Sequence, residues 1–442
     1  MKKFLFFAIA LSMAMGSNFA QEKAEPKGNG EMAKYRRSSL YSVLIKHSSF
    51  PYAAEIDSAF MVMPIPDKFN DHNLDLRSFE SSAVAMKKNG KAKKKLNLQE
   101  TDNFLNTNQV AKALVAKWFL RDTENGGFDM SLIQERGFYD ASQLDIANAE
   151  ESTRGKSSLG DAGEALIGNT FVIVNDITFV DKGEKSAKFA EGISLLGKIL
   201  SQNTENKAYE ETGDVVAAIA NEIDGFTVNI TTYLYRLKWN DEVAGTFYKL
   251  YWINKGASDE ARKEAFEKSD IFSVDYIGQT STSASNLASK SLSSQSKGKQ
   301  MLKVCTRAVD KSIVELQREY DEFKVKVPIY GISEDGQFVD VQIGLKEGIN
   351  EKSKFEVLLP VEGEDGKISY NKVGMIQPLK DKIWDNRFGA LEEAKAVAEE
   401  GSTDQDAANL EAASLTASTF KILSGANNIV PGCLVREVTI KK

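Results

Sequence analysis

"LGDAGEALIGNTFVIVNDITFVD", Leu159 to Asp181, is the most regular stretch of this 442-residue chain, and the rest is read outward from it. Its first half has helical composition and runs to Gly168, a small residue suited to close helix–strand packing. Its second half, from Thr170, is rich in β-branched residues, which pack well on a pleated surface. The unbroken run Phe171-Val172-Ile173-Val174 leaves no polar face for water, so this strand is expected to be covered on both sides. A strand covered twice needs helices above and below its sheet.

The flanking sequence offers them. Asn108 to Asp122 places Val110, Leu114 and Trp118 at i, i+4 and i+8, with Ala111 and Val115 widening the stripe. That spacing predicts an amphipathic helix packed on a sheet, ended by Asn125-Gly126-Gly127. Ser186–Leu200, Val215–Ile223 and Met301–Phe323 carry similar patterns, and Asp140–Glu151 has helical composition. Ser39–Ile45 predicts a first strand, and Ala59–Pro66 is a second apolar segment closed by two prolines. Phe128–Gly137 predicts another strand, whose Glu135 and Arg136 pair or cap at the sheet edge while Gly137 lets the chain turn. Phe226–Trp239 alternates, with Val228, Ile230, Thr232 and Leu234 on one face. Asn240–Gly245 reads as a turn and Thr246–Ile253 as the returning strand, giving a long antiparallel hairpin. Ala257–Ser269 is a charged, helix-like segment, and Gln279–Gln300 is Ser-rich and reads as a mobile loop.

The character changes at Lys324. Six short apolar stretches separated by Gly-, Asn- and Asp-bearing turns predict a small β-barrel. Ala390–Ser418, acidic and Ala-rich, interrupts it as a surface helix pair or a partly disordered insert. The fold class is therefore mixed α+β or α/β: a mixed sheet with packed helices over 38–323, then the barrel over 324–442.

The chain starts with Lys2 and Lys3, an apolar run from Phe4 to Met15 and small residues before Gln21. This describes a secretory signal peptide over 1–20, cut after Ala20, followed by a flexible stretch over 21–37. No Cys lies near the cut, which disfavours a lipid-anchored lipoprotein, and no later stretch is long and uncharged enough to span a membrane. The expected location is the periplasm or the outer membrane. The roughly 420 residues after the cut allow two or three domains.

Composition narrows the chemistry. A net charge of −7 gives no case for nucleic-acid binding. His47 and His72 are the only two histidines, too few for a multi-His metal site and little material for a triad. Cys305 and Cys433 could pair in an oxidising compartment or stand as two separate buried thiols. Gly155–Ser158, "GKSS", lacks the glycine of a phosphate loop, because Glu150 stands there. Asp71–Asp75 spaces three oxygen ligands like a calcium loop, but Leu76 and Ser82 occupy the positions that need Gly and an acid. The sequon Asn229-Ile230-Thr231 sits inside an expected strand. No pattern requires a catalytic set, a cofactor or a metal. The lysine run Lys87, Lys88, Lys91, Lys93, Lys94 and Lys95 is a solvated loop or an electrostatic dock for a partner.

Leu132–Gly137, Leu166–Ile177 and the helix over Asn108–Asp122 together resemble the CsgG-like periplasmic domain. In that family a strand ends in Glu-Arg, a helix follows, and a small-residue turn enters an apolar strand. Val341–Pro360 is similar to the last domain of flagellar assembly protein T, with Lys352–Lys354 in place of the usual Gly-Asp. The resemblance covers about 100–442 and implies a CsgG-like layer followed by an SH3-like barrel. Curli export channels of this family carry an anchoring Cys and membrane hairpins; this chain lacks the first, and Arg236, Lys238 and Lys249 interrupt the 226–253 region. The resemblance thus implies the fold and protein–protein assembly rather than a pore. The expected role is an exported, non-catalytic envelope assembly or scaffolding protein, with the lysine run and the sheet edges as first binding surfaces. Homo-oligomerisation is compatible with that role. A glycan- or peptide-binding module is the alternative, and a metal-independent envelope hydrolase a further one.

Overall fold

The computed structural model describes residues 36–81, 90–139, 166–180, 227–285, 297–362, 368–400 and 403–438. The expected signal peptide, nearly all of the expected flexible N-terminus and the helices expected over 140–151, 186–200 and 215–223 lie outside them. The described residues form a mixed α+β structure with two sheets.

The first sheet is built on β1 (Ser39–Lys46) and β4 (Thr170–Phe179), which run parallel with Ser39 opposite Thr170. Two short strands, β2 (Asn70–Asp71) and β3 (Ser78–Glu80), lie parallel to β1 along its other side. On the far side of β4 come β5 (Thr227–Leu237) and β6 (Val274–Ser285), both antiparallel to their neighbours. The order is β2-β1-β4-β5-β6.

Period-2 geometry sends the apolar residues of β1 and β4 to both faces of the sheet. Tyr41, Val43, Val172 and Val174 face one core, while Leu40, Leu44, Phe171 and Ile173 face the other. The first core is covered by α2 (Gly90–Thr107), α3 (Val110–Trp118) and α4 (Ser131–Tyr139), by the turn Phe247–Tyr251 that follows α5 (Asp241–Thr246), and by α6 (Glu260–Glu267). The second is covered by α1 (Ala53–Val62) and α7 (Lys297–Glu319). The strand expected to be buried on both faces is so: its first eight residues are buried. Polar groups enter the layer as a closed set. Asn175 Nδ2 donates to Ser42 Oγ (3.2 Å) and Val43 O (3.2 Å), and the Thr232 hydroxyl sits 2.9 Å from both Asn175 Oδ1 and Ser312 Oγ.

Three local expectations are corrected. Ser131–Tyr139 is a helix, not a strand. Asp129 Oδ1 accepts the Ser131 N–H at 2.8 Å, satisfying an orphan donor of the first turn. Over Ser131–Gly137, Ile133 and Gly137, four apart, are the buried positions, which is the helical period. Second, the hairpin over 226–253 does not form. Asn240 Oδ1 accepts the Val243 N–H at 3.0 Å and starts α5, which continues into a π-helical turn, Phe247–Tyr251. That turn feeds Phe247 and Tyr251 into an aromatic cluster, and the strand returning beside β5 is β6. Third, Gln279–Ser285, expected in a loop, is the second half of β6. Hydroxyl pairs across the strands, Thr227–Ser285 and Thr231–Ser281, both at 3.0 Å, give these polar residues a place in a sheet. Gly278 in β6 is required, because a Cβ there would lie 2.1 Å from the Tyr320 ring.

The second sheet closes on itself in the order β10-β11-β8-β7-β12-β9. Its strands are β7 (Val327–Ile332), β8 (Phe338–Val341), β9 (Phe355–Glu362), β10 (Ile368–Pro378), β11 (Ser418–Ser424) and β12 (Leu434–Glu437). Val339, Val341, Val357, Ile376, Phe420 and Cys433 fill its interior. The acidic insert is a helix pair, α8 (Ala390–Glu400) and α9 (Asp404–Ser414), the second opened by a Thr403–Asp406 capping box.

Candidate binding surfaces

The sequence-predicted residues fall into separate places. Lys87 and Lys88 lie outside the described residues. So do the side chains of Lys91, Lys93, Lys94 and Lys95, whose backbone opens α2. Glu135 is exposed on α4. Gly168 sits in the short turn before β4, where its carbonyl accepts from Arg236 Nε at 2.6 Å.

Arg136 does structural duty of a kind its sequence position did not reveal. Its guanidinium stacks 4.6 Å over the Trp118 ring and donates to His72 Nδ1 (3.0 Å), Ser39 Oγ (3.3 Å) and Asp71 O (2.8 Å). His72, fully buried and stacked on Trp118, gives its Nε2 proton to Leu114 O at 3.0 Å. An imidazole that accepts at Nδ1 and donates at Nε2 is neutral. Burial, with Arg136 and Lys117 nearby, pushes it down to about 3, against the Leu114 carbonyl, which favours the charged form. The Asp71–Asp75 loop is held the same way: Asp71 Oδ1 accepts the Asn73 N–H (2.8 Å) and Asn73 Oδ1 the Ser42 N–H (2.9 Å).

His47 packs flat on Phe50 with Nε2 2.7 Å from Asp176 Oδ1; its Nδ1 is buried with no hydrogen-bond partner among the described residues. Cys305 and Cys433 are free and buried in different cores. Burial pushes the Cys305 thiol up to about 12, where no reactive thiolate forms.

Two surfaces remain open. One is the outer side of β6: among the described residues no strand pairs there, along twelve residues that contain neither Lys nor Pro. Side chains occupy part of the strand's backbone, since the Gln279 N–H donates to the Tyr320 hydroxyl at 3.3 Å and Ser283 O accepts from Lys311 at 3.1 Å; a strand edge of this kind is a place where another chain can pair. Tyr276 and Ser281 are exposed on it.

The other is a cleft of about 430 Å³ where the end of β6, one face of α7 and the Leu345–Glu347 turn of the closed sheet meet. Helical spacing sets its floor: Arg307, Asp310, Lys311, Val314, Glu315 and Arg318 fall at i, i+3, i+4, i+7, i+8 and i+11. Carboxylates outside the cleft hold four of its cations. Arg307 is bound by Glu393 (2.7 Å), Arg318 by Glu437 (3.2 Å), Lys346 by Asp67 (3.1 Å) and Arg387 by Asp385 (2.6 Å). Gly348, at φ 66°, brings its carbonyl to 2.9 Å from Arg318 Nη2, and a Cβ there would crowd that guanidinium. The signal for this site was present in the sequence as a charged stripe on the helix expected over Met301–Phe323. It reads as an ordinary solvated face until the closed sheet is placed against it.

No protein-family model matches the sequence, and no curated protein is significantly similar to it.

Proposed function

We propose that this chain is an exported, non-catalytic envelope protein that works by binding other proteins, adding a partner's strand to the outer edge of β6. The observation that carries the proposal is that twelve-residue edge, uncharged except for Asp275 and without a strand partner among the described residues. Strand addition uses main-chain hydrogen bonds for affinity and alternate side-chain pockets for selectivity. The basic head and apolar run over Lys2–Met15 support export. None of the described helices is long and apolar enough to cross a membrane. On this reading the α/β layer follows the CsgG-like plan and the closed sheet the SH3-like plan of flagellar assembly protein T. The helical Ser131–Tyr139 and the missing 226–253 hairpin depart from that plan.

The test is cross-linking in intact cells followed by affinity capture from the envelope fraction, using the native chain and the double variant Tyr276→Lys, Ser281→Lys. A stoichiometric protein partner held by the first and lost from the second, with unchanged circular dichroism, supports strand addition. A native chain that light scattering shows to be monomeric and that captures nothing refutes it, as does equal capture by both.

One observation favours a second reading. Burial pushes the Asp310 carboxyl up to about 7, and such a group in a cleft is a general-acid candidate. Turnover of an envelope polymer by the purified chain, abolished by Asp310→Asn, would install a hydrolase in place of the binding protein.

A further inference from the structure

The cleft beside α7 carries a chemistry that strand addition does not use. Its volume, about 430 Å³, falls within the roughly 300–1,000 Å³ typical of small-molecule sites. Five cations, Arg307, Lys311, Arg318, Lys346 and Arg387, line it against two acids, Asp310 and Glu315. The carboxylates behind four of these cations fix their direction, which is how a site is made rigid before a ligand arrives. Lys311 differs from the others. It is exposed and held only by Ser283 O at 3.1 Å, with no carboxylate partner among the described residues. Asp310 differs from the other acids, because it makes no hydrogen bond or ion pair among the described residues.

We propose that this cleft binds a small ligand bearing an oxyanion, a sugar acid or a phosphate ester, with Lys311 as its charge contact and Asp310 beside it. Charge-assisted hydrogen bonds from pre-set guanidinium and ammonium groups are the strong way to hold such a group. A cation without a counter-charge can gain one at little desolvation cost, because it is already exposed. Neutral Asp310 can donate its proton to the ligand; ionised Asp310 would repel it.

The groups facing Asp310 explain its titration. Arg307 and Lys311 flank it on α7, Lys346 and Glu347 approach from the closed sheet, and Asp67 and Lys68 from the segment after α1. The neighbouring end of β6, Ser283–Ser285, brings no charge. Burial outweighs the attraction of the lysines and raises the carboxyl to about 7. Binding should therefore be strongest below that value and weaken as pH rises through it.

The experiment titrates the full chain with glucuronate and with glucose 6-phosphate by calorimetry, and maps the site by backbone chemical shifts at Ser283–Ser285. Glucuronate carries the pH arm, since its own charge is constant across neutrality. The expected result is saturable binding of at least one probe, with the shifts at Ser283–Ser285. Preference between the two identifies the source of the oxyanion. Lys311→Gln should weaken binding about tenfold, the loss of one charge-assisted contact. Asp310→Asn should bind at all pH values and lose the pH dependence. No saturable binding of either probe, binding indifferent to Lys311→Gln, or displacement of the site's signals only by an acidic peptide would overturn the proposal. The strand-addition reading fails separately: Lys311→Gln leaves partner capture unchanged, and Tyr276→Lys with Ser281→Lys leaves glucuronate binding unchanged.

Discussion

Acid should unfold this protein partly through one residue. His72 is fully buried and neutral, accepting from Arg136 and donating to Leu114. Unfolding releases it to the ordinary histidine value of 6.5, whereas in the folded chain it protonates only at about 3. The unfolded state therefore binds the extra proton between those values, so the stability His72 contributes is fully present above 6.5 and drains as pH falls towards 3. At about pH 4.5 the unfolded imidazole is almost wholly charged and the folded one almost wholly neutral, which costs about 3 kcal/mol from this group alone. The perturbation is His72→Gln, whose amide can accept from Arg136 and donate to Leu114 without titrating. Urea unfolding of both proteins, followed by circular dichroism at about pH 7.5 and about pH 4.5, gives four free energies. Other titrating groups are common to both chains and cancel in the double difference. The native chain should lose about 3 kcal/mol more than His72→Gln between the two pH values, whatever the variant's starting stability. Equal losses in the two proteins, or an imidazole C–H resonance of His72 that titrates near 6.5 in the folded chain, would refute the account of this site.

Two other outcomes follow from burial. Phe119 is fully buried among Phe128, Phe247, Tyr248 and Trp252, with the Phe247 ring stacked at 4.6 Å, so Phe119→Ala should cost about 3–5 kcal/mol in urea unfolding. Cys305 and Cys433 should resist iodoacetamide in the native chain and both react within minutes in denaturant; rapid native labelling of Cys305 would contradict its burial.

Periodicity was informative where one pattern dominated. Val110, Leu114 and Trp118 marked α3, the run from Phe171 marked β4, and the six short strands marked the closed sheet. It failed where a short segment satisfied two periods. Leu132-Ile133 reads as strand, but Asp129 supplies a helix start two residues earlier through a side-chain bond that no apolar pattern records. Thr246–Ile253 looks like a returning strand because its aromatics are dense; they serve a cluster of rings instead, and Asn240 is the cap that decides it. Ser and Thr in Gln279–Ser285 suggested a loop because their partners, Thr227 and Thr231, lie about 50 residues earlier. The cleft was hidden for the same reason. Its floor is a helical stripe, but its other wall comes from Lys346, Gly348 and Arg387, and no local rule joins them.

α7 has a mechanical consequence. One side of this helix is packed into the first sheet, and the other holds Glu393 of α8 through Lys303 and Arg307 and Glu437 of β12 through Arg318. A load on the C-terminal closed sheet therefore has a side-chain route through this one helix to β5 and β6, against which it packs.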